Sequence, residues 1–181
     1  MTIPRVDAVL EECERHLDSS KSHGTQVEAI LTAYASAVIY SAFEARARAI
    51  VTARGVGQGE DPDLGSFCKY AATRLLRSIK IGELAGAAAW FHSECKDRFH
   101  DTLEPEAKAA WDSIVSNRHG VAHEDDAATA QVISNLTFGE LKHLYPLALT
   151  VLDALEAAIA PRWEASADEV GTGPPVRLDA G

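Results

Sequence analysis

Apolar residues recur at three- and four-residue intervals along almost the whole chain, and strand-like alternation is sparse, which predicts helices throughout. Pro4 suits a first helical position, and Val6, Val9, Leu10, Cys13 and Leu17 then trace one face of a first helix. The polar stretch Ser19 to Gly24 ends it. Thr25-Gln26-Val27-Glu28 has the form of a capping box, in which the Thr and Glu side chains satisfy orphan amides reciprocally. It opens a second helix predicted to reach about Arg54, before Gly55, Gly57 and Gly59. Two apolar stripes run along that helix: Val27, Ile30, Leu31, Tyr34, Val38 and Ala45 on one side, Ile39, Phe43 and Ile50 on the other. A helix apolar on two faces is either central to a bundle or shared with another subunit.

Asp61-Pro62 restarts the helical pattern, with Leu64, Phe67, Cys68, Ala71, Leu75 and Ile79 as the predicted inner face. The outer face carries Lys69, Arg74, Arg77 and Lys80, the strongest basic cluster in the chain and the expected RNA-binding strip, although a charge run is usually a solvated face. A connection containing Gly82 leads to an alanine-rich helix with Leu84, Trp90, Phe91 and Phe99. Glu104-Pro105 opens the helix bearing Ala109, Trp111, Ile114 and Val115. After a polar loop from Glu124 to Asn135, Thr137-Phe138-Gly139-Glu140 forms a second capping box. Leu141 to Ile159 then line a long last helix containing Pro146, a potential kink. The expectation is an all-α, up-and-down bundle of about five to six helices over residues 1–163, with a flexible polar tail over 164–181.

Size and composition support one globular domain: 181 residues, 46% hydrophobic and 24% charged. Formal charge is 17 − 27 = −10, which gives no long-range attraction to nucleic acid, so any RNA contact has to use a local basic patch. Cys13, Cys68 and Cys95 are odd in number, far apart and without a CxxC pair, as in a protein whose thiols stay reduced. The N-terminus is a charged amphipathic segment rather than a signal peptide, and the longest apolar run, Leu84 to Phe91, is too short to span a bilayer. A cytoplasmic protein with no membrane partner is expected.

The densest chemistry lies in Ser116-Asn117-Arg118-His119-Gly120-Val121-Ala122-His123-Glu124, at the end of a helix. Arginine is permanently cationic and offers a fork of donors suited to phosphate. Histidine exchanges a proton near neutral pH. Together they suggest phosphoryl chemistry on a polyanion such as RNA, without a metal or other cofactor. Two plainer readings stand beside this one. Cations are favoured in the last turn of any helix, and His119 and His123, four residues apart, form half of a metal site. Zinc needs at least one more ligand, and only Glu124 to Asp126 lie close by, so no metal is expected. His92, Glu94, Cys95 and His100 match no zinc spacing and read as structural. At 100° per residue Arg118 and His123 point about 140° apart. Either the helix loosens at Gly120, or each residue works with a copy from another subunit. Glu44, lying between the two stripes of the second helix, is either paired with Arg48 at i+4 or part of the site.

The run Arg118-His119-Gly120-Val121-Ala122-His123 is an R-x4-H signature with a polar residue just after the arginine, and it resembles that of the HEPN superfamily. Tyr40-Ser41-Ala42-Phe43-Glu44 is similar to the Y-s-x-F-E run of the RiboL-PSP-type HEPN branch, and the Leu-Thr-x-x-Glu-Leu step from Leu136 to Leu141 is similar too. The likeness covers roughly residues 5–160. It implies a helical bundle that dimerises and gathers two such motifs in one cleft, in many members a metal-independent RNA endonuclease of toxin–antitoxin or antiphage systems. Arg118 would hold the scissile phosphate, His123 would act as general acid or base, and His119 would orient or assist. Glu44 and Asn117 would support the cleft, and RNA, a second copy and an antitoxin or other defence protein would be the partners. One branch carries a tyrosine two residues after the motif histidine, which a partner nucleotidyltransferase modifies; here that position is Asp125, so that mechanism does not carry over. Other members are noncatalytic bundles that bind a protein or nucleotide partner, which is the alternative reading.

Overall fold

The computed structural model describes residues 2–56, 62–122 and 136–161, with the backbone alone at 62, 64, 75 and 118–122. Among these residues the chain forms seven α-helices and no strand: α1 (Pro4–Ser20), α2 (Gln26–Val56), α3 (Pro62–Leu75), α4 (Ile81–Ala89), α5 (Ser93–Thr102), α6 (Pro105–Ala122) and α7 (Phe138–Ala158). The all-helical reading holds, with one division that periodicity alone did not show. The alanine-rich stretch breaks at Trp90 to His92, where the His92 ring nitrogen Nδ1 accepts the Glu94 amide at 3.3 Å and caps α5. Gly82, expected in a connection, lies in the first turn of α4. No described helix is long and apolar enough to cross a membrane.

α2 is the central element; one of its two stripes is inside, and of the other only Leu31 and Val38 pack partly against the core. Ile39, Phe43, Ala47 and Ile50 are buried against α6 and α7, whereas Val27, Ile30 and Tyr34 are 39%, 48% and 55% exposed. Phe43 lies flat on Trp111 of α6, with centroids 4.6 Å apart and rings within 2° of parallel, and Tyr145 of α7 follows at 6.1 Å. This three-ring stack fixes the height of α6 and α7 against α2. The Tyr145 hydroxyl is buried near Asp7 without a well-formed hydrogen bond, and burial followed by the Asp7 charge pushes its pKa up to about 12.

α2 also runs through Gly55 to Val56, past its expected end at Arg54. A helical glycine is unfavourable by itself, but here it lets α3 approach closely: a Cβ at Gly55 would stand 2.9 Å from Cys68 Sγ. α3 in turn stops at Leu75, and Leu76 to Lys80 form a non-helical link. Ile79 is therefore buried from the link rather than from a helix face, and its carbonyl accepts the Trp111 indole N–H at 2.7 Å. Phe67, predicted inside, is 64% exposed, because the link and Ala72 rather than the whole of α3 seal that side of the core.

The two capping boxes turn out differently. At α7 the box is complete: Thr137 Oγ1 accepts the Glu140 amide, and the Glu140 carboxylate accepts the Thr137 amide at 2.8 Å. At α2 Thr25 Oγ1 accepts the Val27 amide, but Glu28 reaches elsewhere. Its two carboxylate oxygens accept the Gly24 amide at 2.5 Å and the Phe138 amide at 3.0 Å, tying the start of α2 to the start of α7.

These two amides, first that of Gly24, hold the Glu28 carboxyl below its ordinary value of 4.5. A lowered folded-state value stabilises above the unfolded value and is lost as pH falls through the folded one. The Glu28→Gln variant should therefore be less stable than the wild type near neutral pH, with the gap narrowing below about pH 4.5; urea midpoints between pH 7 and pH 3 measure this. Phe43→Ala should lower the unfolding free energy by about 3–5 kcal/mol, read by the same titration at neutral pH.

Candidate functional site

α6 opens on Pro105 and turns its apolar residues inward, with Ala110, Trp111 and Ile114 fully buried. It continues without a break through Gly120 to Ala122. The helix is therefore unbroken at Gly120 itself, and where His123 stands relative to Arg118 lies outside the described residues. With 100° per residue, position 118 falls in line with Trp111 and Ile114, and position 119 in line with Lys108, Asp112 and Ser116. Arg118 and His119 are described as backbone only, and His123 lies outside the described residues.

The line through Lys108, Asp112 and Ser116 forms one wall of an open groove of 780 Å³. Its other wall comes from Lys80, Gly82 at the start of α4 and His100 of α5. α4 begins there without a side-chain cap, since its N-cap residue is Lys80 and a lysine has no acceptor. A helix start without a side-chain cap, with Lys80 and Lys108 beside it, makes the groove suited to an anionic group. Asp112 on the wall and Glu83 in the first turn of α4 offset part of that charge.

Asn117, expected as a supporting group of the site, is 4% exposed. Its Nδ2 donates to Ser36 Oγ of α2 at 3.0 Å, so it anchors the end of α6 to α2. Glu44 pairs with Arg48 at 2.9 Å, the i,i+4 alternative, and Arg48 also donates to the Leu76 carbonyl at 3.4 Å. Ser36, which meets Asn117, and Glu44 lie a little over two turns apart on α2, about 12 Å along the axis. The structure does not bring Glu44 to the end of α6.

The basic strip divides as well. Lys80 lines the groove, whereas Lys69 and Arg74 are exposed on α3 and Arg77 is exposed on the link. Arg74 folds over Tyr70, with Nε donating to the phenolic oxygen at 3.0 Å and the guanidinium 5.3 Å from the ring centre. Lys108 and Asp112 are not singled out by the sequence, Ser116 enters there only as the start of the motif stretch, and His100 reads there as structural. The spacing 108, 112, 116 leads to position 119 in steps of three and four, a signal that was there to be found. His100 gave none, because only the packing of α5 brings it to the groove. Among the described residues no three His, Cys, Asp or Glu side chains gather as a metal site.

Comparison with known proteins finds no family model, no curated protein and no solved structure that matches the chain.

Asn117→Ala should leave the Ser36 hydroxyl buried without its partner and lower the unfolding free energy by about 1–3 kcal/mol, measured by chemical denaturation.

Proposed function

We propose that the protein is a metal-independent RNA endonuclease of HEPN type, acting as a homodimer with a composite Arg118 and His123 cleft. By the same resemblance it serves as a toxin or antiphage-defence effector in the cytoplasm, restrained by an antitoxin or another defence protein. The observation that supports this best is the groove beside α6, whose wall of Lys108, Asp112 and Ser116 leads along the helix to position 119 of the motif. On an ideal helix Arg118 and His123 would point about 140° apart, so two copies are the simpler way to bring an arginine and a histidine to one phosphate.

In this reading the ribose 2′-hydroxyl attacks the adjacent phosphorus, and a histidine takes its proton as the new P–O bond forms. Arg118 holds the phosphate and stabilises the charge that develops on its oxygens. The bond to the 5′-oxygen breaks, and that oxygen leaves with a proton from a general acid. The products are a 2′,3′-cyclic phosphate and a 5′-hydroxyl. His123 is the proton carrier, His119 orients it, and Lys80 and Lys108 hold a neighbouring phosphate along the groove. The exposed stripe Val27, Ile30 and Tyr34 on α2 supports a second copy as the partner of that face. The same stripe, with the net charge of −10, also favours the second reading, a noncatalytic bundle that binds a protein or nucleotide partner.

Cleavage by the purified protein should survive EDTA and leave cyclic phosphate ends. Loss of activity with the chelator, restored by zinc or magnesium, would overturn the metal-independent mechanism. Arg118→Ala and His123→Ala homodimers should each fall by at least about 10²–10³ in rate. Unfolding and refolding the two variants together should return part of the activity, through mixed dimers that carry one intact arginine and one intact histidine in trans. A mixture that demonstrably exchanges subunits and still cuts nothing would sink the composite cleft.

A further inference from the structure

The face of α3 that points away from the core combines two features that rarely occur together by packing alone. Phe67 and Tyr70 are 64% and 60% exposed, the two most exposed large apolar side chains among the described residues. The segment from Leu64 to Gly82 also carries Lys69, Arg74, Arg77 and Lys80 and contains no Asp or Glu. In a chain of net charge −10 this leaves −14 on everything else, so the segment is a local reversal of sign. Mobile lysines and arginines spread over a surface attract any polyanion. Two exposed aromatic rings one turn apart, Tyr70 with Arg74 against it, ask for flat partners as well, and the bases of an unpaired strand present such faces while those of a duplex are hidden.

The orientation of Arg74 sharpens the picture. Its bond to the Tyr70 hydroxyl and its position over the ring hold the guanidinium against the aromatic surface, making a rigid cation–ring unit. Arg77 Nε donates to the Arg74 carbonyl at 3.4 Å, which places the next cation at the end of the same helix. On the helix Arg74 lies about 20° from the line of Phe67, so a strand stacked on the rings meets a cation on the same face.

We propose that α3 and the link after it form a platform for single-stranded nucleic acid, with bases stacking on Phe67 and Tyr70 and phosphates held by Arg74 and Arg77. It deepens the nuclease reading and rests on it only for the choice of RNA; the binding itself stands apart from cleavage. The strand then continues along Lys80, the residue shared by the link and the groove beside α6.

The test uses the full chain and fluorescence anisotropy with labelled twelve-nucleotide probes, oligothymidylate and 2′-O-methyl oligouridylate. Neither has a free 2′-hydroxyl, so neither is cut by the proposed reaction. The wild type should bind both, more weakly as salt rises. Phe67→Ala and Tyr70→Ala should each weaken binding roughly five- to hundredfold, the range for one lost base stack. Phe67→Leu, which keeps the bulk without the ring, should behave nearly like Phe67→Ala. Arg77→Ala should reduce the salt slope by about 0.7. Thermal melts of all four variants should match the wild type, because the side chains are exposed. If the aromatic variants bind as the wild type does, the platform is wrong whatever the cleavage assays give. Phe67-dependent binding to phosphatidylserine vesicles with no binding to the oligonucleotides would overturn it in favour of a membrane surface. Platform-dependent oligonucleotide binding by a protein that cuts no RNA would sustain this inference and remove the nuclease reading.

Discussion

The flat contact between Phe43 and Trp111 is the constraint on which the rest of the structure depends. Two large rings 4.6 Å apart and nearly parallel remove a great deal of apolar surface from water at one point of the core. Stacking adds about 0.5–1.5 kcal/mol beyond that burial. The indole also carries a polar N–H into the interior, and its bond to the Ile79 carbonyl satisfies it. One side chain thereby ties α2, α6 and the link between α3 and α4 together. Because the link is held there, Lys80 and the start of α4 come to lie beside α6. The groove is a consequence of the aromatic core.

Polar contacts then set the ends of the bundle. Arg48 holds the link from the other side, bonding the Leu76 carbonyl while paired with Glu44. Asn117 and Ser36 join α6 to α2 where the candidate motif begins. Glu28 joins α2 to the first turn of α7. Each of these bonds is worth little alone against solvent, but each stands where burial leaves a helix end or a carbonyl in need of a partner. They therefore decide register more than total stability.

Three outer surfaces differ in character as a result. The outer stripe of α2 is apolar, that of α3 is aromatic and basic, and the groove by α6 mixes lysines with Asp112. An acidic chain that sets four of its 17 lysines and arginines in one acid-free segment separates general repulsion of polyanions from local attraction. Such a division favours binding where base stacking and cations act together over binding by charge alone.

Much of this was legible in the sequence, for reasons that are local. The helical period named the all-α class, Pro4 and Pro105 opened their helices, and the Thr137 and Glu140 box capped α7, because propensity and capping act over three or four residues. The pairing of Glu44 with Arg48 was readable for the same reason. What the sequence left open was decided by contacts between distant segments. The two stripes of α2 looked alike, and only the packing of α6 and α7 chose Phe43 and Ile39 for the core and left Tyr34 outside. Gly55 reads as a helix end, yet it lies inside α2, where the missing side chain makes room for Cys68 of α3. Glu28 reads as the partner of Thr25, yet the amide of Phe138, far along the chain, claims one of its oxygens. Periodicity finds a helix's apolar face, while which face meets which neighbour depends on shape complementarity across the core, and that exists only once the chain has folded.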